Sequence, residues 1–508
     1  MIDLDPSWAY GSASGPAQLR MLGKILTAEF SPLNAELQDG LMLSALSLAR
    51  WSWQQYPLNR ELLRLVSVLE EAGAGLGGMA RMAAETEAAL ASVPGLAVPE
   101  RFETPDVLAE FMRALPEFGS KRLLWKRFEA EQAVAHSPEN AESLLEALDS
   151  SLFGLWKASA HLELVQKKGA SYFNPELFSR VWPECCWHTN LILALFDLLY
   201  PASPECSFKE QAPPPVLLYS WNKRDALFQT LESLRASNIE GAPVFALDNG
   251  STDNSLEMLL AQKDKWGTPF TLISLSANVG APAARNWLLS LPEVQAAPWA
   301  VFLDDDVILE ENWLQGLCRT AVANPEYGAV GCRVTDHIPP FGIQAADFHL
   351  LSASEATHSF EDVDERIFPF CSAMGETGEA FYAYTRPCVS VTGCCHLINM
   401  KAIERAGPFD VRFNPSQFDD LERDLRSSLA GFPTYYHGQV VVRHMQHSSL
   451  RQAMGPSQQG HIMGNKIKLE FLFDGNKAEK LRLENFERVK ADLLRKCARV
   501  EQALGGGA

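Results

Sequence analysis

Three consecutive carboxylates, Asp304-Asp305-Asp306, follow the apolar run AVFL. Side by side they repel one another, so a positive charge must offset them. A divalent cation with hard oxygen ligands, bridging to a diphosphate, would do this, and a solvated acidic turn accounts for the same residues. Upstream, Asp248-Asn249-Gly250-Ser251-Thr252-Asp253 closes the apolar run PVFAL and opens a helix-like segment. Asn-Gly makes a turn there, and Ser251 or Asp253 caps the helix. Asp248 nevertheless stands at a strand end, where a nucleobase or ribose would be read. Asn278-Val279-Gly280 precedes a segment carrying Arg285 and Asn286. The glycine permits close backbone approach, and an arginine on the first helical turns can face a diphosphate.

The elements that must position these residues are legible from hydrophobic period. VLLYSW, PVFALDN, FTLISLS and WAVFLDD are short apolar runs ending in polar residues. Between them lie helix-like stretches, DALFQTLESLRAS, NSLEMLLAQKDKWG and PAARNWLLSL. Such alternation predicts an α/β, Rossmann-like domain whose mostly parallel sheet carries helices on both faces. Ligands of such sheets bind at the carboxyl ends of the strands, where the polar clusters fall. Before this domain the spacing changes. AQLRMLGKILTAEF, LQDGLMLSALSLARWSW and RELLRLVSVLEEAG place apolar residues at three- and four-residue steps, predicting an all-α domain with Trp51 and Trp53 in its core. The five prolines of PASPECSFKEQAPPP (201–215) read as a linker. The expected boundaries are therefore a helical domain over 1–205, the α/β domain over 213–464, and a C-terminal helix and tail over 465–508. Within the second domain, 334–387 reads as irregular, VSVTGCCHLIN as a strand, and the residues after Phe418 as a helix. A last helix is expected over 466–503, before a frayed GGGA end.

A formal net charge of −19 argues against a nucleic-acid or anionic-membrane partner, since both select positive surfaces. The ten cysteines show no zinc-finger spacing, and the adjacent pairs Cys185-Cys186 and Cys394-Cys395 read as buried thiols. Reduced thiols, an N-terminus without a signal pattern, and an apolar run (LILALFDLLY) too short to span a bilayer point to a cytoplasmic protein with no transmembrane segment.

In their order, DNGSTD, NVGAPAARN and LDDD resemble the signatures of family 2 glycosyltransferases with the GT-A fold. VLLYSWNKRDAL resembles that family's opening strand, TGCCHLINMKAIERAGPFDVRF its acceptor-side strand and Gly-Pro-Phe-Asp turn, FDDLERDLRSSLAGF its acidic helix, and VVVRHMQHSS its closing strand. The resemblance implies metal-dependent, inverting transfer of a sugar from a nucleotide-sugar donor, a UDP-sugar, to an acceptor hydroxyl. It places Trp221 against the nucleobase, Asp248 on the base, and Asn278 beside the donor. Arg285 would face the diphosphate, Asp304 the nucleotide, and Asp305 the ribose or donor sugar. Asp306 and His444 would hold Mn²⁺ or Mg²⁺, with His447 the rival ligand; an imidazole favours Mn²⁺. Registering the family's arginine on Arg426 puts the catalytic base at Asp420, with Asp419 before it and Glu422 as the second acidic position. The acceptor is a saccharide, a lipid-linked sugar or a protein, selected by 334–390, whose GEAFYAYTRP aromatics stack on a sugar or simply pack. Two rivals remain. A sugar nucleotidyltransferase would need a glycine-rich loop where SWNKRDAL has none, and a non-catalytic carbohydrate- or partner-binding module would need none of the acids.

Overall fold

The computed structural model describes residues 5–12, 15–27, 35–71, 75–99, 102, 104–201, 212–267, 269–356, 363–445 and 456–505. Most of the proline-rich stretch 201–215, His447 and the last three residues of the GGGA tail lie outside them. Two compact units divide the chain. One takes Met1–Trp8, Ser12–Leu199 and Lys496–Ala508; the other takes Ala9–Gly11 and Tyr200–Arg495.

Between Gly15 and Leu199 the described residues of the first unit form ten α-helices and no strand. Their starts follow local chemistry. The Thr104 hydroxyl accepts from the Val107 amide ahead of Pro105–Ala114, with proline at the first helical position, and Asp149 caps Ser150–Lys168. Trp51 and Trp53 are both buried. Trp53 stacks on Phe153 at 6.1 Å, and Trp51 meets the His188 ring edge-on at 4.6 Å. Large rings fill the gaps between helices that smaller side chains would leave as voids.

In the second unit β1 (Val216–Ser220), β2 (Val244–Asp248), β3 (Phe270–Ser274) and β4 (Trp299–Leu303) precede β5 (Val307–Leu309) and β6 (Ala329–Asp336). Then follow β7 (Ile343–Ala345), β8 (His349–Leu351), β9 (Phe368–Phe370), β10 (Thr385–Cys388), β11 (Cys395–Asn399) and β12 (Thr434–His444). The main sheet runs β10-β12-β6-β11-β4-β1-β2-β3, with β5 paired to β12 and β7 to β6. The four strands carrying the N-terminal motifs are parallel, and so is the β6–β12 pair; β11 runs antiparallel between β4 and β6. Both faces are covered. Val216, Leu218, Val244 and Ala246 pack with Leu227 and Leu231 on one side, while Leu217, Phe245 and Leu247 pack with Ala284 and Leu288 on the other. Burial on both faces is why these strands are continuous apolar runs rather than alternating ones. No helix among the described residues is long and apolar enough to cross a membrane.

Three details differ from the sequence reading. The stretch 334–387, expected to be irregular, contains the β8–β9 hairpin and β7. The strand expected over 389–399 begins only at Cys395, because 389–394 turn toward the helix Asp419–Leu429. The terminal helix is two, Pro456–Leu472 and Gly475–Gly505, since Asp474 accepts from the Lys477 amide at 3.0 Å and caps a new start. The tripeptide Ala9–Gly11 is also built into this unit. The buried guanidinium of Arg386 donates to the carbonyls of Ala9 (2.7 Å) and Tyr10 (3.4 Å). The Tyr10 ring stacks on His349 at 4.5 Å.

His188 gives the helical unit a pH dependence. Its Nδ1 accepts from the Leu191 amide at 3.2 Å, and burial holds its pKa down to about 3. The folded ring therefore stays neutral where an unfolded histidine, near 6.5, binds a proton. This contribution is complete above pH 6.5 and is lost as pH falls toward 3, by at most about 1.4 kcal/mol per pH unit. Urea titrations of the whole protein between pH 7 and 4 should show a shallower acid slope for His188→Gln than for the native chain.

Candidate active site

The site lies at the carboxyl ends of β1, β2 and β4. After Ser220 the backbone enters the left-handed region at Asn222 (φ 54°), a turn that leaves Trp221 half exposed. The DNGSTD loop holds this turn. Asn222 donates its amide to Ser251 Oγ (3.0 Å), Thr252 donates to Asn222 Oδ1 (2.7 Å), and Arg224 donates to Asp253 Oδ2 (3.0 Å). Asp253 also accepts from the Ser255 amide, the first of the helix Ser255–Lys263, while the cap position itself falls on Asn254, whose side chain makes no capping bond. Gly250, at φ +75°, is required because a Cβ there would come within 2.5 Å of the Ala277 backbone. Asp248 is buried at the end of β2 and accepts from the Ser251 amide at 3.3 Å. Asn278 ties loop to loop, its Oδ1 accepting from Asn249 Nδ2 (2.9 Å) and from the Gly280 amide (2.8 Å).

The aspartate triplet is already partly neutralised. Lys223, directly after the turn, donates its ammonium to Asp305 Oδ1 at 3.0 Å and Asp306 Oδ2 at 2.9 Å. Arg285 Nη2 stands 3.6 Å from Asp304 Oδ1. Burial pushes Asp305 up to about 6, with Lys223 opposing and Asp306 adding to the rise. Asp306 shifts down: burial works against its charge, but His444 and Lys223 outweigh it. His444 Nε2 lies 3.0 Å from Asp306 Oδ1, and its Nδ1 lies 2.8 Å from Gln344 Oε1. Gln344 in turn gives its amide nitrogen to Asp336, so its oxygen faces the ring and Nδ1 carries the proton. With Nε2 against a carboxylate, the ring is drawn to its protonated form despite burial, and its pKa rises.

These groups fit a divalent cation. One ligand atom each from Asp304, Cys394 and His444 lies within 4.8 Å of the others, and Asp306 touches the same imidazole. The donor set combines carboxylate oxygen, imidazole nitrogen and a thiol, which is softer than the oxygen and nitrogen donors expected from sequence.

Across from the triplet, the helix Asp419–Leu429 begins after two left-handed residues, Gln417 and Phe418. Its two first acids have different surroundings. Asp419 is buried, with Oδ2 2.6 Å from Arg285 Nη1. Burial raises its pKa against the pull of Arg285, and Asp420 beside it adds to the rise. Asp420 is half buried, its oxygens accepting from the amides of Gly393 (2.7 Å) and Leu421 (2.8 Å). Gly393 is needed for this approach, since a Cβ would lie 2.7 Å from Arg285 Nη2 and 3.2 Å from Asp420 Oδ2. Arg285 itself is enclosed by the rings of Phe409 (5.1 Å), Tyr219 (5.4 Å) and Phe302 (6.0 Å). Burial alone would lower its pKa, but Tyr219, Asp419 and Asp304 outweigh it, and the guanidinium stays charged. Glu422 and Arg426 pair with one another, and Arg426 donates to the carbonyls of Ala406 and Pro408 at the Gly-Pro-Phe-Asp turn.

The structure thus gathers Arg285, Asp304, Asp305, Asp306, Asp419, Asp420 and His444. It puts Arg285 between two acids rather than open toward a ligand. Sequence reasoning passed over Lys223, Gln344, Gly393 and Cys394. Only Lys223 had a usable signal, a cation directly after a strand end in a chain whose next sheet motif needs charge compensation.

Residues 216–406 match the family model of Glycosyl transferase family 2, from the first residue of β1 to the end of the helix Met400–Ala406. Among curated proteins the chain is similar to the poly-beta-1,6-N-acetyl-D-glucosamine synthases of Staphylococcus aureus strains MSSA476 and MW2. Each is 24% identical over 163 residues, 31% of this chain and 38% of the relative. The chain therefore spans well under half the length of these relatives. Among solved structures, GalNAc-T7 with UDP, GalNAc and Mn²⁺ aligns at 12% identity and a TM-score of 0.39, over 50% of this chain and 47% of that one. The mannosyltransferase PcManGT from Pyrobaculum calidifontis, with GDP-Man and Mn²⁺, aligns at 14% and 0.34, over 66% of this chain and 88% of that one.

The Arg285–Asp419 pair should be structural as well as local to the site. Arg285→Ala strands a buried carboxylate, and breaking a buried pair from one side costs about 3–5 kcal/mol. Urea unfolding should show a loss of that order, partly recovered by adding Asp419→Asn.

Proposed function

We propose that the chain, whose residues 216–406 match the model of Glycosyl transferase family 2, transfers a sugar from a nucleotide-sugar donor to an acceptor hydroxyl, with inversion at the anomeric carbon. The observation that carries this reading is the meeting of two acidic groups around Arg285. One is the triplet with His444 at the carboxyl end of the sheet; the other is the start of the helix Asp419–Leu429. A donor and an acceptor need two such separate acidic functions on either side of one carbon.

On the donor side, the exposed face of Trp221 receives the nucleobase and Asp248 reads its edge, with Asn278 shaping the loop beside it. Asp304 and Asp305 contact the nucleotide, and Arg285, held between Asp304 and Asp419, reaches a diphosphate only by giving up its longer contact to Asp304. Asp306 and His444 hold Mn²⁺ or Mg²⁺, with Asp304 and Cys394 in reach. Such an ion, when bound, stabilises negative charge on the departing diphosphate. On the acceptor side, Asp420 takes the hydroxyl proton as general base. The acceptor oxygen then bonds to the anomeric carbon, whose bond to the diphosphate oxygen breaks with the electron pair leaving on the nucleotide. Asp420 suits this role better than Asp419, because Asp419 is already paired with a buried guanidinium.

A UDP-sugar is the proposed donor, and a saccharide, lipid-linked sugar or protein the acceptor. All nine described cysteines are free thiols, which suits a reducing, cytoplasmic setting. One observation favours a non-catalytic binding module instead: Lys223 already neutralises two of the three carboxylates. A screen of nucleotide sugars for hydrolysis and transfer, with and without Mn²⁺, separates the readings, since a module would bind without turnover.

Asp420→Asn keeps size and much of the hydrogen bonding but removes the proton acceptor. Transfer should fall by about 10² to 10⁴, the usual contribution of a general base, with donor affinity little changed. Asp306→Ala should abolish Mn²⁺-dependent donor binding, followed by calorimetry, while the fold persists. Full activity in chelator would remove the metal from the mechanism.

A further inference from the structure

Every carboxylate of the triplet has a cationic neighbour within the chain: Asp304 has Arg285, and Asp305 and Asp306 share Lys223, with His444 on the other oxygen of Asp306. The Arg285 and Lys223 contacts differ in how freely they can be given up. Arg285 is buried among three rings and bound to Asp419. The Lys223 side chain is 32% exposed, against 9% for Asp305 and 2% for Asp306. Its backbone is fixed, because the left-handed Asn222 and the bonds of Asn222, Thr252 and Arg224 clamp the turn on both sides. Only the four-carbon stem is free to swing, and it has solvent on one side.

We propose that Lys223 is a built-in counter-cation of the aspartate triplet, which a divalent ion must displace, so that metal binding is an exchange of ammonium for metal. The inference rests on the metal site proposed above. The ammonium holds one oxygen of Asp306 while His444 faces the other. A dication shared by that carboxylate and that imidazole would be repelled by an ammonium on the same carboxylate. Without Lys223, Asp305 would lose its cationic partner and Asp306 would keep only its contact to His444 in the metal-free protein. The lysine therefore preserves the shape of the metal-free site and at the same time weakens its affinity for the ion. As a positioning residue, it acts through the carboxylates it releases.

The test uses the full chain, stripped of metal by chelator and titrated with MnCl₂ alone by calorimetry. Lys223→Gln, which keeps the stem and loses the charge, should bind Mn²⁺ at least tenfold more tightly than the native protein. Its metal-free form should melt at a lower temperature, giving a larger rise on adding Mn²⁺. Lys223→Arg, which keeps the charge, should not gain affinity. Lys223→Met serves as a second neutral variant if the glutamine form does not fold. Unchanged or weaker Mn²⁺ binding in both neutral variants would overturn the exchange. If Mn²⁺ still bound the native protein and Asp306→Ala lost it, the metal site would stand and only the exchange would fall. If neither the native protein nor any variant bound Mn²⁺, the metal reading and this proposal would fall together.

Discussion

A single guanidinium decides how the site is put together. Arg285 comes from the helix after β3, Asp304 from the end of β4, and Asp419 from a helix that starts more than a hundred residues later. A buried arginine needs partners for its charge, and its planar fork suits carboxylates. Three aromatic rings shield the pair from water, which strengthens the attraction and fixes the distance. Once that pair is set, Asp420 follows: adjacent residues on a helix point about 100° apart. If one acid of the Asp419–Asp420 pair faces inward to the arginine, the next is turned toward the Gly393 amide and remains half exposed.

The glycine at 393 shows how tightly these parts are placed. Its amide meets one acid, and the space a methyl group would fill is taken by the guanidinium that binds the other. The same economy holds for the metal candidates. Asp336, Gln344, His444 and Asp306 form a chain of contacts linking β6, β7, β12 and the end of β4. A ring oriented from behind in this way presents one nitrogen to the front, as ligand histidines generally do.

Much of this was legible because it is local. The alternation of apolar runs with helix-like segments gave the parallel strands, and the turn chemistry of DNGSTD gave the loop that clamps Asn222. Ordered motifs placed Asp304 to Asp306, Asp419, Asp420 and His444 in one region of the chain. What stayed hidden depends on contacts across long separations. Nothing near Arg285 indicates that its partner is Asp419, 134 residues away. Lys223 stood in plain view, but an acidic cluster read alone suggests an external cation, and only three-dimensional placement shows an internal one. The start of β11 and the break at Asp474 were misjudged for a related reason. Apolar composition predicts how far an element can run, whereas a single capping bond or close approach decides where it starts or breaks.

The tripeptide Ala9–Gly11 has a consequence for how the molecule is made. The guanidinium that donates to its carbonyls follows 376 residues after Tyr10. At about 5–20 residues per second, the segment waits roughly 20 to 75 seconds for its seat to be synthesised. During that interval Ser12–Leu199 is made, but the unit it belongs to also takes Lys496–Ala508 and is not yet complete. The second unit, which takes Ala9–Gly11 and Tyr200–Arg495, therefore joins its two segments only once Arg386 has been made.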